Sequence, residues 1–132
     1  MYLISDLAKK ANTTTDAIRF YLQKGLLKPT LKAENGYYFY DDVVLERLLF
    51  IRNCRDLDIS IAEIEQLIFL LQDKARCCHT VNDLITQHIT ALDQKIMQLQ
   101  KFREKLLDIR SSCTTVGTIE SCSIIKHFEQ GK

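Results

Sequence analysis

Four cysteines bracket one long run of the chain: Cys77 and Cys78 precede residues 80–110, and Cys113 and Cys122 follow it. Thiolates are soft donors, so thiols gathered at one point suit a thiophilic cation rather than magnesium or calcium. Whether these four can gather depends on the run between them. Apolar residues recur there at Ile85, Ile89, Leu92, Ile96, Leu99 and Leu106, with Phe102 and Ile109 beside them, which is one face of a helix sustained for about four heptads. Neither proline nor glycine interrupts it. At about 1.5 Å per residue such a helix spans roughly 45 to 50 Å, longer than a small domain is wide, so its apolar stripe needs a second helix. The simplest partner is another copy of the chain. If the copies run antiparallel, the start of one helix meets the end of the other, and Cys78 of one chain approaches Cys113 and Cys122 of its partner. A single straight helix would hold the two groups tens of ångströms apart, so the cysteines make chemical sense as a set in an antiparallel homodimer.

Three thiolates from Cys78, Cys113 and Cys122 would accept cadmium, lead or mercury. Zinc usually takes four ligands, and its fourth has to come from Cys77, His79 or water. Binding requires the thiols to lose their protons, so affinity falls as the medium becomes acidic. Exposed thiols in a polar loop gain nothing from burial, which argues for ligands there. Cys54, by contrast, lies on an apolar helix face and reads as a core residue, and His88 sits in the seam of the long helix.

The chain has 132 residues, 46% of them hydrophobic and 27% charged, an ordinary balance for one folded domain with an extension. Its first residues lack a basic stretch followed by an apolar core, and no apolar run approaches the ~20 residues of a membrane span, so a cytoplasmic location is expected. An odd count of five cysteines in a reducing compartment favours ligands, redox centres or core residues over disulfides. No pairing of nucleophile with base marks an enzyme. A net charge of +1 does not announce a nucleic-acid binder, so that reading rests on local pattern.

That pattern lies at the N-terminus. Ile4, Leu7, Ala8 and Ala11 follow helical spacing, with Ser5 as candidate cap and Asn12 as the stop. Thr13, Thr14 and Thr15 then open a second helix, with Asp16 in its first turn and Gly25 at its end. Two short helices joined by a tight polar turn, the second carrying Thr15, Arg19 and Tyr21 near an outer face, form a helix-turn-helix signature. From Pro29 to Tyr40 the chain is extended, and Asn35-Gly36 followed by an aromatic run marks a hairpin, a small wing beside the helices. The aromatic run reads mainly as wing core, with Tyr37 alone reserved for DNA. Up to Tyr40 there are six basic residues against three acidic, a weak preference for phosphate. Asp41 or Asp42 can cap a further helix containing Leu48, Ile51 and Cys54. Ser60 caps another that contains Ile64 and Leu67. The expected layout is residues 1–72 as a winged helix-turn-helix with a middle helical pair, 73–79 as linker, 80–111 as the dimerisation helix, and 112–132 as a metal-binding loop with a short amphipathic helix.

The stretch Asp16-Ala17-Ile18-Arg19-Phe20-Tyr21, then Gly25-Leu26-Leu27, Asn35-Gly36-Tyr37, Tyr40, and Phe50-Ile51-Arg52 with Arg55, resembles the winged helix-turn-helix of the MerR family of transcription regulators. With the long helix and its cysteines the resemblance covers nearly the whole chain. Two positions depart from the family pattern. Lys32 stands where arginine is common and keeps the charge without the guanidinium fork. Tyr38 replaces an arginine and loses a phosphate contact, which implies a looser grip of the wing on DNA. Cys78 followed by Val81-Asn82, and Cys113 spaced from Cys122 with Ser123-Ile124-Ile125 after it, is similar to the cadmium- and lead-responsive members. Copper(I) sensors carry serine at the Cys78 position and a shorter loop. Zinc sensors have a cysteine pair and a histidine in the loop, where this chain has Ser112, a lone Cys113 and Gly117. The mercury sensor shares only the loop spacing, and redox-sensing members need four close loop cysteines.

The resemblance implies a mostly α fold: a winged helix-turn-helix followed by a long antiparallel dimerisation helix. It implies a homodimeric regulator of metal-resistance genes that responds to a thiophilic divalent cation, Cd2+ or Pb2+ before Hg2+ or Zn2+. The ligands would be Cys78, Cys113 and Cys122; by position alone Cys77 and His79 could add a donor, though Cys77 reads equally as a redox partner or a linker residue and His79 better as a spectator. Thr15 and Arg19 would probe the major groove of promoter DNA while Tyr21, Lys32 and Tyr37 touch phosphates. RNA polymerase would be reached through the promoter, whose overlong spacer the metal-bound dimer distorts. Rival readings are a sensor of an organic ligand, which usually needs a larger C-terminal domain, and a thiol redox protein built on Cys77-Cys78.

Overall fold

The computed structural model describes residues 1–113 and 117–131, and the chain divides into two units, Met1–Leu84 and Ile85–Lys132. In the first unit, α1 (Ile4–Ala11) and α2 (Thr15–Gln23) form the helix pair expected from their spacing. The capping residue of α1 is Leu3, which offers no side-chain bond, and Ser5 lies inside the helix, so the expected serine cap is corrected. Asn12 ends α1 in the left-handed region at φ 53°, and its N–H and that of Thr13 return to the Lys9 and Ala8 carbonyls. Of the three threonines it is Thr14 that caps α2, its hydroxyl accepting from the Ala17 N–H at 3.1 Å. Gly25, at φ 78°, turns the chain so that the Leu26 N–H reaches the Tyr21 carbonyl and Leu26 and Leu27 fold back into the core.

The wing is smaller than the extended stretch suggested. Strands β1 (Leu31–Lys32) and β2 (Tyr38–Phe39) pair antiparallel, Leu31 opposite Phe39 and Lys32 opposite Tyr38. Asn35 Oδ1 accepts from the Tyr37 N–H at 3.1 Å and Gly36 takes φ 89°, as a tight turn requires. So short a ribbon is marginal alone, and it is fastened by backbone bonds in both directions between Tyr2 and Tyr40. The aromatic run does not form a wing core. Tyr37 is 63% exposed and Tyr38 is exposed too, whereas Tyr40, at 1%, enters the main core.

Asp41 accepts from the Val44 N–H at 3.0 Å and starts α3 (Asp42–Asp56). Asp58 at φ 62° ends that turn, and Arg55 donates to the Ile59 carbonyl at 2.6 Å across it. Ser60 and Glu63 then form a reciprocal capping box at the head of α4 (Ile61–Leu71). The core of the unit joins Leu7, Ile18, Tyr40, Leu48, Ile51 and Ile64, all fully buried. Cys54 packs at its margin, where burial pushes the thiol up from its ordinary value, in keeping with a core role.

The long helix α5 (His79–Ser111) has 33 residues, beginning one residue earlier than the sequence pattern placed it. In the second unit its apolar stripe, from Ile85 and Ile89 through Ile96 and Leu99 to Phe102 and Leu106, is exposed, and only Ile109 is buried. A short 3₁₀ turn (Ile119–Ser121) and α6 (Ser123–Glu129) follow. Among the described residues no helix is long and apolar enough to cross a membrane.

Candidate metal centre and nucleic-acid interface

The second unit brings Cys113 and Cys122 together. Cys113 follows α5 directly, its N–H on the Arg110 carbonyl at 3.1 Å. Ser112 and Ser123 hydroxyls meet at 3.2 Å and tie the two ends of the loop, while the Ser121 N–H closes onto the Thr118 carbonyl. Between them is a cleft of about 210 Å³ lined by Ser112, Cys113, Gly117, Thr118, Ser121 and Cys122. A Cβ at Gly117 would stand 2.9 Å from Ser121 Oγ, so a larger residue there would make that hydroxyl rotate away. Cys122 heads α6, and the N–H groups of Ile125 and then Ile124 pull its thiol below the ordinary value; partial burial opposes them and the neighbouring Cys113 thiol adds to the lowering. A thiol already biased toward thiolate beside a second thiol in a small cleft fits a soft cation. The fit does not extend to hard cations, since the cleft offers hydroxyls and thiols but no carboxylate.

The remaining sulfur donors belong to the first unit. Cys77 and Cys78 are exposed just before α5, and the Cys78 carbonyl accepts the Asn82 N–H at 3.0 Å, so Cys78 stands at the head of that helix. His79 Nε2 lies 3.5 Å from Asp83 Oδ2, one turn along. Among the described residues no group of three or more His, Cys, Asp or Glu converges within a single chain. One chain therefore brings together the Cys113 and Cys122 half of the expected site.

Within the first unit, α2 turns Ile18 and Tyr21 inward and leaves Asp16, Arg19, Phe20 and Gln23 exposed. Arg19 Nη1 donates to Asp16 Oδ1 at 3.3 Å and to Thr15 Oγ1 at 3.4 Å, so the expected groove-reading residues form one connected polar surface. Tyr21 is corrected: at 9% exposed it belongs to the core and not to an outer face. Lys32 holds its ammonium 5.6 Å above the Tyr38 ring, and Tyr37 stands free at the wing tip. Sequence reasoning passed over Phe20 and Lys24, which stack at 5.6 Å on the exposed side of α2. Their helical offset from Asp16 was the available signal.

These features place an exposed polar helix face and an aromatic wing in one unit, and the chain matches the MerR HTH family of regulatory proteins over residues 2–69 and the MerR DNA-binding region over 45–109. The chain belongs to the MerR family. As a MerR regulator it is a DNA-binding transcription factor and not an enzyme. Among its relatives is a probable heavy metal-dependent transcriptional regulator of Haemophilus influenzae, 42% identical over 110 residues, covering 83% of this chain and 86% of that one. The HTH-type transcriptional regulator CueR of Salmonella typhimurium is 36% identical over 125 residues, covering 95% and 90%. The crystal structure of the transcription regulator PbrR691 from Ralstonia metallidurans CH34 in complex with lead(II) superposes with a TM-score of 0.82 at 37% identity, over 97% of this chain and 99% of that one.

Proposed function

We propose that this MerR regulator senses a thiophilic heavy-metal cation, lead or cadmium, at trithiolate sites shared between the two chains of an antiparallel dimer, and that it controls its promoter by distorting DNA. Cys113 and Cys122 supply the preformed half of each site and Cys78 of the partner chain supplies the third thiolate, with Cys77 and His79 within reach of a fourth. Heavy-metal response as such is supported by the relatives named above. The choice of lead or cadmium rests on the donor set and on the lead-bound neighbour.

One observation carries the shared site. Six apolar residues of the α5 stripe, all exposed but the half-buried Leu92, fall in pairs equidistant from the point between Lys95 and Ile96: Ile85 with Leu106, Ile89 with Phe102, Leu92 with Leu99. A stripe with that internal symmetry is complementary to its own antiparallel copy. The same centre places Cys78 opposite Cys113. The register that buries the stripe therefore also assembles the thiols. On DNA, Thr15 and Arg19 take base edges while Lys32 and Tyr37 hold phosphates. Coupling requires only that two DNA-bound states of the dimer differ in how well they bring Cys78 to the loop of the partner.

Competition titrations against a chelator, read by the thiolate-to-metal charge-transfer band, test the effector. We expect lead or cadmium to outcompete zinc at equal free concentration, and tighter zinc binding than either would overturn the assignment. Transcription from the regulator's own promoter with Cys113→Ser should lose its metal response while DNA binding stays nearly intact.

A further inference from the structure

We propose that Asp16 is a specificity-determining residue of the recognition helix, its carboxylate accepting a hydrogen bond from the exocyclic amino group of a cytosine within the base-pair step whose guanine Arg19 reads. The inference rests on the DNA interface proposed above and goes beyond it. Asp16 has 94% of its side chain exposed and lies on the stripe that holds Arg19, Phe20 and Gln23, opposite the buried Ile18 and Tyr21. A carboxylate pointed at a phosphate-lined groove is repelled unless it finds a donor there. Its bond to Arg19 at 3.3 Å is open to solvent on both sides and adds little to the stability of the helix.

In the major groove the pair has a better use. Cytosine presents its amino donor on the same edge where guanine presents N7 and O6, and with Arg19 Nη1 engaged by Asp16 and Thr15 the pair still offers three N–H donors and a carboxylate acceptor side by side. Because the two groups touch, their targets are adjacent too. Asp16 at 3.3 Å and Thr15 Oγ1 at 3.4 Å both accept from Arg19 Nη1, which leaves the Nε and Nη2 edge of the fork unengaged by them and available to a guanine.

The test is selection from a library of operator half-sites with random bases, with the full-length dimer at one fixed salt concentration. The wild-type protein, Asp16→Ala, Asp16→Asn and Arg19→Ala are compared. We expect the wild type to demand cytosine at one position and Asp16→Ala to lower that preference about tenfold without weakening binding to random DNA. Asp16→Asn should move the preference toward adenine, whose N6 and N7 suit an amide. A helix merely loosened by the substitution would lose affinity at all positions alike. An Asp16→Ala base profile unchanged at every position, beside an Arg19→Ala protein that has lost operator affinity, overturns the role of Asp16 and leaves the interface standing. If Arg19→Ala binds the operator as the wild type does, the interface itself falls and this inference with it.

Discussion

Truncating Leu99 to alanine tests the dimer seam where it is simplest, since Leu99 lines no part of the metal cleft and stands opposite Leu92 in the self-complementary register. Burying a leucine side chain fully is worth about 1.5 to 3 kcal/mol. In the separate chain Leu99 is already partly shielded by its own helix and remains 62% exposed, so roughly 1 to 2 kcal/mol is left for the partner to supply. Alanine keeps a small part of that, and the two-fold axis repeats the loss, giving about 2 to 3 kcal/mol per dimer. At 1.4 kcal/mol per decade the dissociation constant should rise about 30- to 100-fold, measurable by sedimentation equilibrium or by subunit-exchange fluorescence. Met97→Ala is the control, because Met97 is equally exposed but points away from the stripe; its dimer should hold to within about twofold. A Leu99→Ala dimer as tight as the parent, or a Met97→Ala dimer weakened as much, would refute the seam and the sharing of cysteines across it.

A Cys78→Ser chain mixed with a Cys113→Ser, Cys122→Ser chain should form a heterodimer with one complete three-thiol site and about half the wild-type metal capacity, while neither mutant homodimer forms such a site; a heterodimer no better than its parents, in titrations of the tag-purified species, rejects the shared geometry. Because the Ile125 and Ile124 N–H groups hold the Cys122 thiol low, its thiolate persists below the pH at which an ordinary thiol protonates. Iodoacetamide alkylation of a variant retaining Cys122 alone should therefore have its midpoint below that of free cysteine, and Ile124→Pro, which removes one N–H, should raise it; no upward shift would disconnect the thiol from the helix start. Ile64→Ala, at a fully buried position, should destabilise the first unit by about 2 to 5 kcal/mol in urea denaturation, and a loss under about 1 kcal/mol would contradict its place in the core.

The helices of the first unit were legible because each announces its ends locally: Asn12, Thr14, Gly25, Asp41 and Ser60 do their work with backbone groups three or four residues away. The wing was legible as a turn at Asn35-Gly36 but not as a structure, since which aromatics are buried depends on Tyr2, far away in sequence. Tyr21 misled for a similar reason. Its helical position is compatible with an outer face, and its burial comes from joining a core assembled from residues distant in sequence, Leu7 and Leu48 among them. At the candidate metal centre the sequence singled out Cys113 and Cys122 by type and spacing and the folded loop brings these two together, while the close approach of Gly117 to Ser121 and the pull of the Ile125 and Ile124 N–H groups on Cys122 were visible only in the folded loop.

The fastening of the wing also sets an order of events as the chain leaves the ribosome. Tyr2 pairs with the Tyr40 backbone and its hydroxyl donates to Asp42 at 2.6 Å, partners separated from it by about the whole recognition module. Tyr2 must therefore wait, its backbone and hydroxyl unpaired, until Asp42 emerges, and Leu7 and Ile18 wait longer still for Leu48, Ile51 and Ile64 to complete their core.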